Sequence, residues 1–324
     1  MTLDSTAVSH RVSSPAPIQD ADRLTIVIVS TFYSEGMGYS ENCLPRALAA
    51  LGHDVHLVTS TFNVYGNSTS YKETYEEFLG PPIVAPGVST VDGYRVHRLR
   101  SHLFRGYVRI EKLLATVRAL RPDIVHALEI ASMQTYELAL YQPIGGYQLF
   151  CETHQHMSIV RPFLREPSGQ WLQRAMYRLT RTLPTSLASR RVRRVYAIAP
   201  DCAEVATRFY GIPAEKIRIQ SLGADTDLFH PVTSAADRAE RDALRQRLGF
   251  RVDDVVCVYS GRFSPDKNPL ALAQAIESLA NRNPQYKGLF IGDGGQRAEI
   301  EGCRNNCVVP FMRHADLAAH YRAS

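Results

Sequence analysis

Short apolar runs alternate with amphipathic stretches along this 324-residue chain, and no other feature of its sequence constrains the fold as much. "RLTIVIVS" (23–30) is a continuous β-branched run, which is typical of a strand buried on both faces. Leucines at helical spacing follow it, Gly52 marks the helix end, and "DVHLVTS" (54–60) predicts the next strand. This order of strand, helix and strand predicts a βαβ unit in a parallel sheet.

The same alternation continues to the end of the chain. A run over 94–99 alternates and predicts an edge strand, and the periodicity over 110–120 predicts an amphipathic helix. Further strands are predicted over 123–128, 146–154, 194–199 and 216–223, and three more strands with three helices after residue 250. The pattern predicts an α/β fold with two doubly wound, Rossmann-like parallel sheets that carry helices on both faces.

Composition and pattern divide the chain into four segments. We expect a disordered tail over 1–22, which is rich in Ser, Ala and Pro, and a first domain over 23–229. A charged, partly helical connection over 230–250 leads to a second domain over 251–324. The second domain has fewer predicted strands than a typical sheet, so we expect it to be incomplete.

Charge and cysteine content set further limits. The net charge of +5 permits an anionic ligand or surface, and we expect no nucleic-acid partner. The six cysteines are spread thinly, which predicts reduced thiols, and Cys303 and Cys307 lack the second pair that a zinc site needs. No apolar window reaches the length of a membrane span and no export signal is visible, so we expect a cytoplasmic location.

A glycine-containing loop, "TFYSEGMGYSEN" (31–42), joins the first strand to the first helix. Gly36 and Gly38 allow the backbone to approach a ligand closely, and the N–H groups of the helix N-terminus attract anions. The loop lacks the third glycine of a dinucleotide fingerprint, and no acidic residue ends the second strand, which argues against NAD. A plain flexible loop remains the alternative to a binding loop.

Histidines end two neighbouring predicted strands. His126 lies in "DIVHAL" and is followed by Glu129, and His154 ends "FCETH". Because the carboxyl ends of parallel strands meet at one edge, we expect these side chains beside the glycine loop. Each histidine is alternatively a satisfied structural residue, and Cys151, His154 and His156 form a weak candidate zinc set.

Arginine is concentrated between residues 171 and 194, where seven arginines lie in a stretch, 167–200, that contains no Asp or Glu. One helix face there is apolar and consists of Trp171, Leu172, Ala175, Met176 and Leu179. A cationic amphipathic helix of this kind can lie on an anionic membrane surface. The alternative is a helix that packs on its domain and exposes a solvated, charged side.

Two cations lie in a turn that follows the first strand of the second domain. "SGRFSPDKNP" (260–269) contains the Gly, Pro, Asp and Asn of a turn, but a turn requires neither Arg262 nor Lys267. Arg can hold a phosphate with two hydrogen bonds and Lys adds a point charge, so we expect an anionic ligand there. A second turn, "IGDGGQ" (291–296), brings Gly292 and Gly294 to the same sheet edge.

Together these segments resemble the retaining glycosyltransferases of family four, which have the GT-B fold. The similarity runs from about residue 23 to 324 and is carried by the order of the motifs. "GHDVHLVT" resembles the family's "GHxV" strand, "RPDIVHALE" its "PDVVHxH" strand, and "LGADTDLFHP" its "NGVDxxxFxP" segment. "SGRFSPDKNP" resembles "GRLxxEKG", and "IGDGGQRAEIE" resembles "GDGPxxxxLE".

The resemblance implies that a sugar passes from a nucleotide-diphospho-sugar to a lipid-linked or saccharide acceptor with retention of configuration. It implies no metal ion and no other cofactor, since the nucleotide-sugar is itself a substrate. It also implies two facing Rossmann-like domains and a place in cell-surface glycan or glycolipid synthesis, with peripheral contact at the inner face of the membrane.

Individual residues take roles from the same resemblance. The donor-binding group consists of Arg262, Lys267, Gly292 and Gly294. The acceptor-side or phosphate-loop group consists of Gly36, Gly38, His126 and Glu129. His154 matches the family's active-site histidine and is predicted to be catalytic together with Arg262 and Lys267.

Three departures from the family pattern qualify this expectation. Met37 interrupts the usual paired glycines, and Asn268 replaces the Gly after the Lys. The sequence ends at "HYRAS", before the family's E-x(7)-E segment, so we expect a truncated member. The alternatives are a non-catalytic nucleotide-sugar-binding fragment, and a sugar-nucleotide epimerase or phosphorylase of the same fold.

Overall fold

Two parallel sheets organise the protein in a computed structural model that describes residues 22–104, 107–158, 160 and 171–324. Nearly all of the tail expected over 1–22 lies outside these residues. The strands are β1 (Thr25–Ser30), β2 (Asp54–Ser60), β3 (Gly87–Val91), β4 (Tyr94–Leu99), β5 (Ser101–Phe104), β6 (Tyr107–Ile110), β7 (Ile124–Ala127), β8 (Gln148–Thr153), β9 (Arg194–Ala197), β10 (Ile217–Ile219), β11 (Val255–Ser260), β12 (Tyr286–Ile291) and β13 (Asn306–Val309).

Helices connect most of these strands. They are α1 (Ser40–Ala50), α2 (Tyr71–Thr74), α3 (Glu76–Leu79), α4 (Leu113–Leu120), α5 (Met133–Gly145), α6 (Trp171–Tyr177), α7 (Leu183–Ser189), α8 (Pro200–Glu204), α9 (Ala235–Arg247), α10 (Pro269–Ala280), α11 (Arg297–Gly302) and α12 (His314–Arg322). Single π-helical turns occupy Arg178–Thr182 and Val205–Phe209, and a 3-10 turn occupies Ala214–Lys216. None of the described helices is long and apolar enough to cross a membrane.

The first sheet has eight strands in the order β10-β9-β8-β7-β1-β2-β4-β3. All neighbours pair in parallel except β3 and β4, which form an antiparallel hairpin. The prediction that 94–99 is an edge strand is therefore wrong, because β3 covers β4. The hairpin turn is Asp92–Gly93, whose φ angles of 45° and 85° are the positive values that a tight two-residue turn requires.

A second hairpin changes the start of the helix expected over 110–120. Ser101 pairs with Ile110 in the antiparallel β5–β6 ladder, so Ile110 ends a strand. Helix α4 therefore begins at Leu113. Its buried face consists of Leu113 and Val117, which are four residues apart and join the core below the sheet.

The second sheet has three parallel strands in the order β11-β12-β13. Apolar clusters cover both faces of each sheet, as the buried β-branched runs require. We call the elements around the eight-stranded sheet the N-terminal lobe. The elements around the three-stranded sheet, together with α9, are the C-terminal lobe.

Helix α9 lies within the segment expected to connect two domains, and it packs on the C-terminal lobe. A capping box between Ser234 and Asp237 begins it. The buried Arg245 guanidinium donates to the Ala323 carbonyl at 2.8 Å and to the carbonyls of Arg251, Val252 and Asp254 at 3.0–3.1 Å. The expected boundaries at 229 and 250 stay predictions.

Several contacts among the described residues join the two lobes or their junction. Phe311 stacks on the rings of Tyr75 and Phe78, at centroid distances of 5.6 and 5.8 Å. The backbone N–H of His314 donates to the Gly36 carbonyl at 2.9 Å. In the "LGADTDLFHP" segment, Asp225 accepts from Arg46 at 2.7 Å, which ties the lobe junction to α1.

Removal of the Arg245 side chain tests the packing of α9. Arg245→Ala leaves several buried carbonyls without their donor, so we expect the free energy of unfolding to fall by about 2 to 4 kcal/mol. Arg247→Ala on the same helix is the matched control. Because Arg247 is exposed, this substitution should change the free energy of unfolding by less than about 0.5 kcal/mol. Equal effects in urea denaturation would show that α9 is a solvated connection.

Candidate functional site

The order of strands in the first sheet determines where a ligand can enter it. From β1 the chain proceeds to β2 and β4 on one side, and β7 to β10 extend on the other side. The crevice at the carboxyl ends of β1 and β7 is therefore a topological switch point, where open α/β sheets hold ligands. The glycine loop follows β1, and His126 lies in β7. Both predicted features thus lie at this crevice.

A chain of hydrogen bonds connects two histidines through one carboxylate at the crevice. The Nε2 atom of His126 is 3.1 Å from Oε1 of Glu152, and the Nε2 atom of His154 is 2.9 Å from Oε2. Glu152 is a residue that the sequence analysis missed. Residues two apart on a strand project to the same side, so the "ETH" sequence could have predicted that Glu152 lies beside His154.

Partly buried carboxylates surround His154. Burial raises the pKa of Glu41 and of Glu129 to about 7. Glu129, which follows β7, accepts from the Ala131 backbone N–H at 3.0 Å. The hydrogen bond to Glu152 raises the pKa of His154, and the charges of Glu129 and Glu41 add to that rise against the effect of burial.

The glycine loop packs against the start of α12. A Cβ atom on Gly38 would lie 2.1 Å from the His314 ring, so glycine is required there for a contact between lobes. Gly36 has a φ angle of 76° and its carbonyl accepts from His314. The structure thus gives both glycines a packing reason, and a role toward a phosphate or an acceptor stays a prediction.

The predicted donor cations lie in the loop after β11, but they differ in their surroundings. Arg262 donates through Nη2 to both Asp266 oxygens at 3.1 and 3.3 Å, and through Nε to Ser264 at 3.1 Å. Tyr75 from the N-terminal lobe also lies near Arg262 and interacts with it electrostatically. Lys267 is exposed and forms no ion pair with the residues that the structure describes.

The backbone of this loop explains one departure from the family pattern. Asn268 has a φ angle of 54° and immediately precedes α10. This left-handed conformation favours glycine, and asparagine is among the residues that tolerate it best. Asn268 therefore replaces a glycine without a change in the turn.

Gly292 and Gly294 are required by the contact between two loops. Their φ angles are 148° and 145°, and a Cβ atom on Gly292 would lie 2.0 Å from the Gly261 carbonyl oxygen. A Cβ atom on Gly294 would lie 2.6 Å from the Phe263 carbonyl oxygen. These glycines hold the loop after β12 against the loop that carries Arg262, and contact with a nucleotide stays a prediction.

Aromatic side chains bridge the donor loop and the crevice. Tyr75, which contacts Arg262, stacks on Tyr65 at 4.8 Å. The Tyr65 hydroxyl lies 3.3 Å from that of Tyr39, which precedes α1. Glu41, two residues further on, interacts electrostatically with His154. Neighbouring side chains therefore lead from Arg262 toward His154, an arrangement that sequence patterns alone did not indicate.

The basic segment 171–194 is helical over much of its length and exposes its apolar face. The exposed fractions are 74% for Trp171 and 66% for Leu179, and Leu172, Met176, Leu183 and Leu187 are also exposed. Arg181 lies over the ring of Tyr107 at 3.7 Å, which joins the segment to the β5–β6 hairpin. Thr185, Ala188 and Ser189 are buried against the domain, so the segment packs on it in part, while its apolar face is exposed among the described residues.

The candidate zinc set separates in the structure. Cys151 is fully buried in the core, and His156 hydrogen-bonds Ser158 at 2.7 Å. In the part of the chain that is described, no group of three or more His, Cys, Asp or Glu residues is arranged to hold a metal ion. All six cysteines lie in that part, and none forms a disulfide.

The family model for Glycosyltransferase Family 4 matches residues 43–228, more than half of the chain. The chain belongs to this family. The Family 4 match includes most of α1, His126, His154 and the Asp225 turn, so the β7 and β8 side of the crevice lies within it, while β1 and the glycine loop precede it.

Curated relatives match shorter stretches of this Family 4 chain. A D-inositol 3-phosphate glycosyltransferase of Xylanimonas cellulosilytica is 32% identical over 133 residues, 38% of this chain and 31% of the relative. The lipopolysaccharide 1,2-N-acetylglucosaminetransferase of Salmonella typhimurium is 38% identical over 69 residues, 20% of this chain and 18% of the relative. The matched stretches thus span less than a third of each relative.

Solved structures align with this Family 4 chain over most of its length and show its fold. Anabaena HepE in complex with UDP aligns with a TM-score of 0.58 and 18% identity, over 93% of this chain and 72% of that chain. Starch synthase IV of Arabidopsis thaliana, bound to ADP and acarbose, aligns with a TM-score of 0.56 and 16% identity, over 93% and 77%. The predicted GT-B fold of parallel sheets is confirmed.

The titration of Glu41 gives a test of this Family 4 crevice. A carboxyl with a folded pKa near 7 and an ordinary value of 4.5 favours the folded state when protonated, so its stabilising effect declines from pH 4.5 to 7. A glutamine side chain cannot ionise, so the Glu41→Gln variant does not lose this stability as the pH rises. The free energy of unfolding of the variant minus that of wild type should therefore increase by about 1 to 3 kcal/mol between pH 4.5 and 8. The same change at the exposed Glu35 is the control for urea denaturation at both pH values. A flat difference for Glu41→Gln would contradict its burial.

Proposed function

We propose that this Family 4 chain binds a nucleotide-diphospho-sugar between its lobes and contributes to transfer of the sugar to a saccharide or lipid-linked acceptor. The observation that carries the proposal is the position of Arg262 and Lys267 in the loop after β11, where Arg262 meets Tyr75 of the opposite lobe. Cations at this point suit a diphosphate, whose negative charge grows as the sugar departs.

The Arg262 guanidinium already has an ion-pair partner in the structure, and a bound donor would have to replace it. Its guanidinium pairs with Asp266, an exposed carboxylate on the same turn. An exposed pair of this kind contributes little to stability, so a diphosphate can replace Asp266 at small cost. Lys267 has no such partner among the described residues and is available to a second phosphate oxygen.

The reaction that we propose retains the configuration of the sugar. The bond between the anomeric carbon and the diphosphate oxygen breaks, and an acceptor oxygen bonds to the same face of that carbon. The acceptor proton passes to the departing phosphate oxygen, so no protein nucleophile is needed. In this proposal His154 lies beside the donor sugar, and Gly36, Gly38, His126 and Glu129 line the acceptor side.

Nucleotide titration tests the donor site without a requirement for turnover. With UDP, ADP and GDP as probes in calorimetry, Arg262→Ala or Lys267→Ala should weaken the best-bound nucleotide by about 1 to 3 kcal/mol, the range for hydrogen bonds to charged groups. The dissociation constant should therefore rise about 5- to 150-fold. Arg304→Ala, on an exposed arginine of the same lobe that pairs with Glu277, is the matched control.

Unchanged affinity in both variants would reject the donor site. The rival function, a nucleotide-sugar-binding fragment without catalysis, predicts tight donor binding without release of free sugar or sugar transfer. Incubation with UDP-glucose, UDP-N-acetylglucosamine and GDP-mannose distinguishes these outcomes by the nucleotide that is released.

We also propose that the basic segment 171–194 contacts an anionic membrane surface and brings a lipid-linked acceptor to the crevice. The exposed apolar face of α6 and α7 and the arginines around it support this proposal, because apolar side chains enter the interface while arginines pair with anionic headgroups. The cytoplasmic location expected from the sequence stays a prediction.

Vesicle sedimentation tests the membrane contact. The protein should sediment with phosphatidylglycerol vesicles and much less with phosphatidylcholine vesicles, and added salt should release it. Arg178→Glu and Leu179→Glu should each reduce the bound fraction at least about fivefold, since one charge near the surface is worth about 1 kcal/mol. Val252→Glu, an exposed apolar position in the C-terminal lobe, is the control. Equal binding of all variants would contradict the proposal.

A further inference from the structure

The carboxylate of Glu152 lies between two imidazole rings at the crevice. Only 13% of its side chain is exposed, against 14% for His126 and 37% for His154. Each carboxylate oxygen contacts a different ring nitrogen, Nε2 of His126 at 3.1 Å and Nε2 of His154 at 2.9 Å. Glu152 is thus almost enclosed, and His154 is the member of the group that reaches the open cleft.

Sheet register explains why these three side chains meet. In the parallel pair β7–β8, His126 lies opposite Phe150, two residues before Glu152. In the pair β8–β9, Glu152 lies opposite Tyr196, whose ring stacks on His126 at 6.1 Å. Alternation along β8 directs Cys151 and Thr153 to the other face, where both are fully buried.

The charge of Glu152 decides which nitrogen of each ring carries a hydrogen. Burial alone would raise the pKa of Glu152, but the hydrogen bonds from His126 and His154 outweigh it and lower the pKa to about 2. An ionised carboxylate only accepts hydrogen bonds, so Nε2 of each ring must carry a proton. Nδ1 of His154 is therefore the ring nitrogen left for a ligand.

We propose that Glu152 is a positioning residue that holds His154 in the Nε2–H tautomer and in one ring orientation, so that Nδ1 is presented to the bound substrates. This inference rests on the proposed function for its catalytic meaning. A carboxylate that orients a histidine in this way selects which nitrogen does chemistry and stabilises the protonated ring.

Other charged groups face the same ring and must be kept constant in a test. Glu129, in the loop after β7, and Glu41, in the first turn of α1, both favour the protonated form of His154. Glu152 is distinct because it alone among these carboxylates hydrogen-bonds the ring itself.

Nitrogen-15 NMR of the imidazole rings tests the assignment on the full chain without any substrate. His154→Ala identifies the signal. Above the pKa of His154, the wild-type ring should show a protonated Nε2 and a bare Nδ1. In Glu152→Gln, which keeps the shape of the side chain and loses its charge, the pKa of His154 should fall by about 1 unit or more. Glu204→Gln, which breaks an exposed pair with Arg208, should leave it unchanged.

Kinetics then separates a positioning role from a structural one. Glu152→Gln should lower kcat about 10- to 100-fold with little change in the KM for the donor, and should move the pH dependence of kcat. Glu152→Asp, which restores the charge, should recover part of kcat. A structural role predicts instead a lower melting temperature with normal kcat in the folded fraction.

The outcomes distinguish this inference from the proposed function. A wild-type His154 ring in the Nδ1–H tautomer, or an unchanged pKa of His154 in folded Glu152→Gln, overturns the positioning role even if nucleotides bind as proposed. A wild-type chain that binds no nucleotide and transfers no sugar overturns the function, and the tautomer experiment still decides whether Glu152 controls His154.

Discussion

The candidate site depends on the parallel pairing of β1 with β2 on one side and with β7 on the other. This arrangement reverses the direction of the strand order at β1, so the loops after β1 and β7 diverge and leave a crevice at the carboxyl edge. The glycine loop, His126 and the end of β8 all lie there because of it. The same pairing buries β1 on both faces, so the sequence that builds the core also positions the site.

The contact between the lobes converts two sheet edges into one cleft. Phe311 packs on aromatic rings of the opposite lobe, and His314 packs on the glycine loop. These contacts bring Tyr75 to Arg262, and the tyrosines continue to the side of α1 where Glu41 interacts with His154. The groups proposed to bind the donor and the acceptor thus belong to different lobes, and a ligand that contacts both must fit between them.

Electrostatics divides this cleft into two unlike halves. The C-terminal side offers Arg262 and the exposed Lys267, which suit an anionic donor group. The N-terminal side holds three carboxylates around His154, and burial keeps the pKa of two of them near 7. Because carboxylates repel anions, that half favours hydroxyl or protonated groups over a phosphate. Arg313 and His314, which lie beside the glycine loop, are the exception because they are basic. The basic segment 171–194 is separate from both halves and combines arginines with an exposed apolar surface.

The sequence by itself determined the α/β class, the parallel strands, the strand that carries His126 and the loops that carry His154, Arg262 and Lys267, because hydrophobic period and turn residues are local signals. It also contained the Asp92–Gly93 hairpin, which the strand pattern alone did not reveal. Only the tertiary structure decided that Glu152 rather than Glu129 pairs with His126, that Tyr75 of the opposite lobe lies near Arg262, and that Gly38 and Gly292 leave no room for a Cβ atom. Those outcomes depend on which distant segments meet, and a local pattern carries no information about the partner across a cleft.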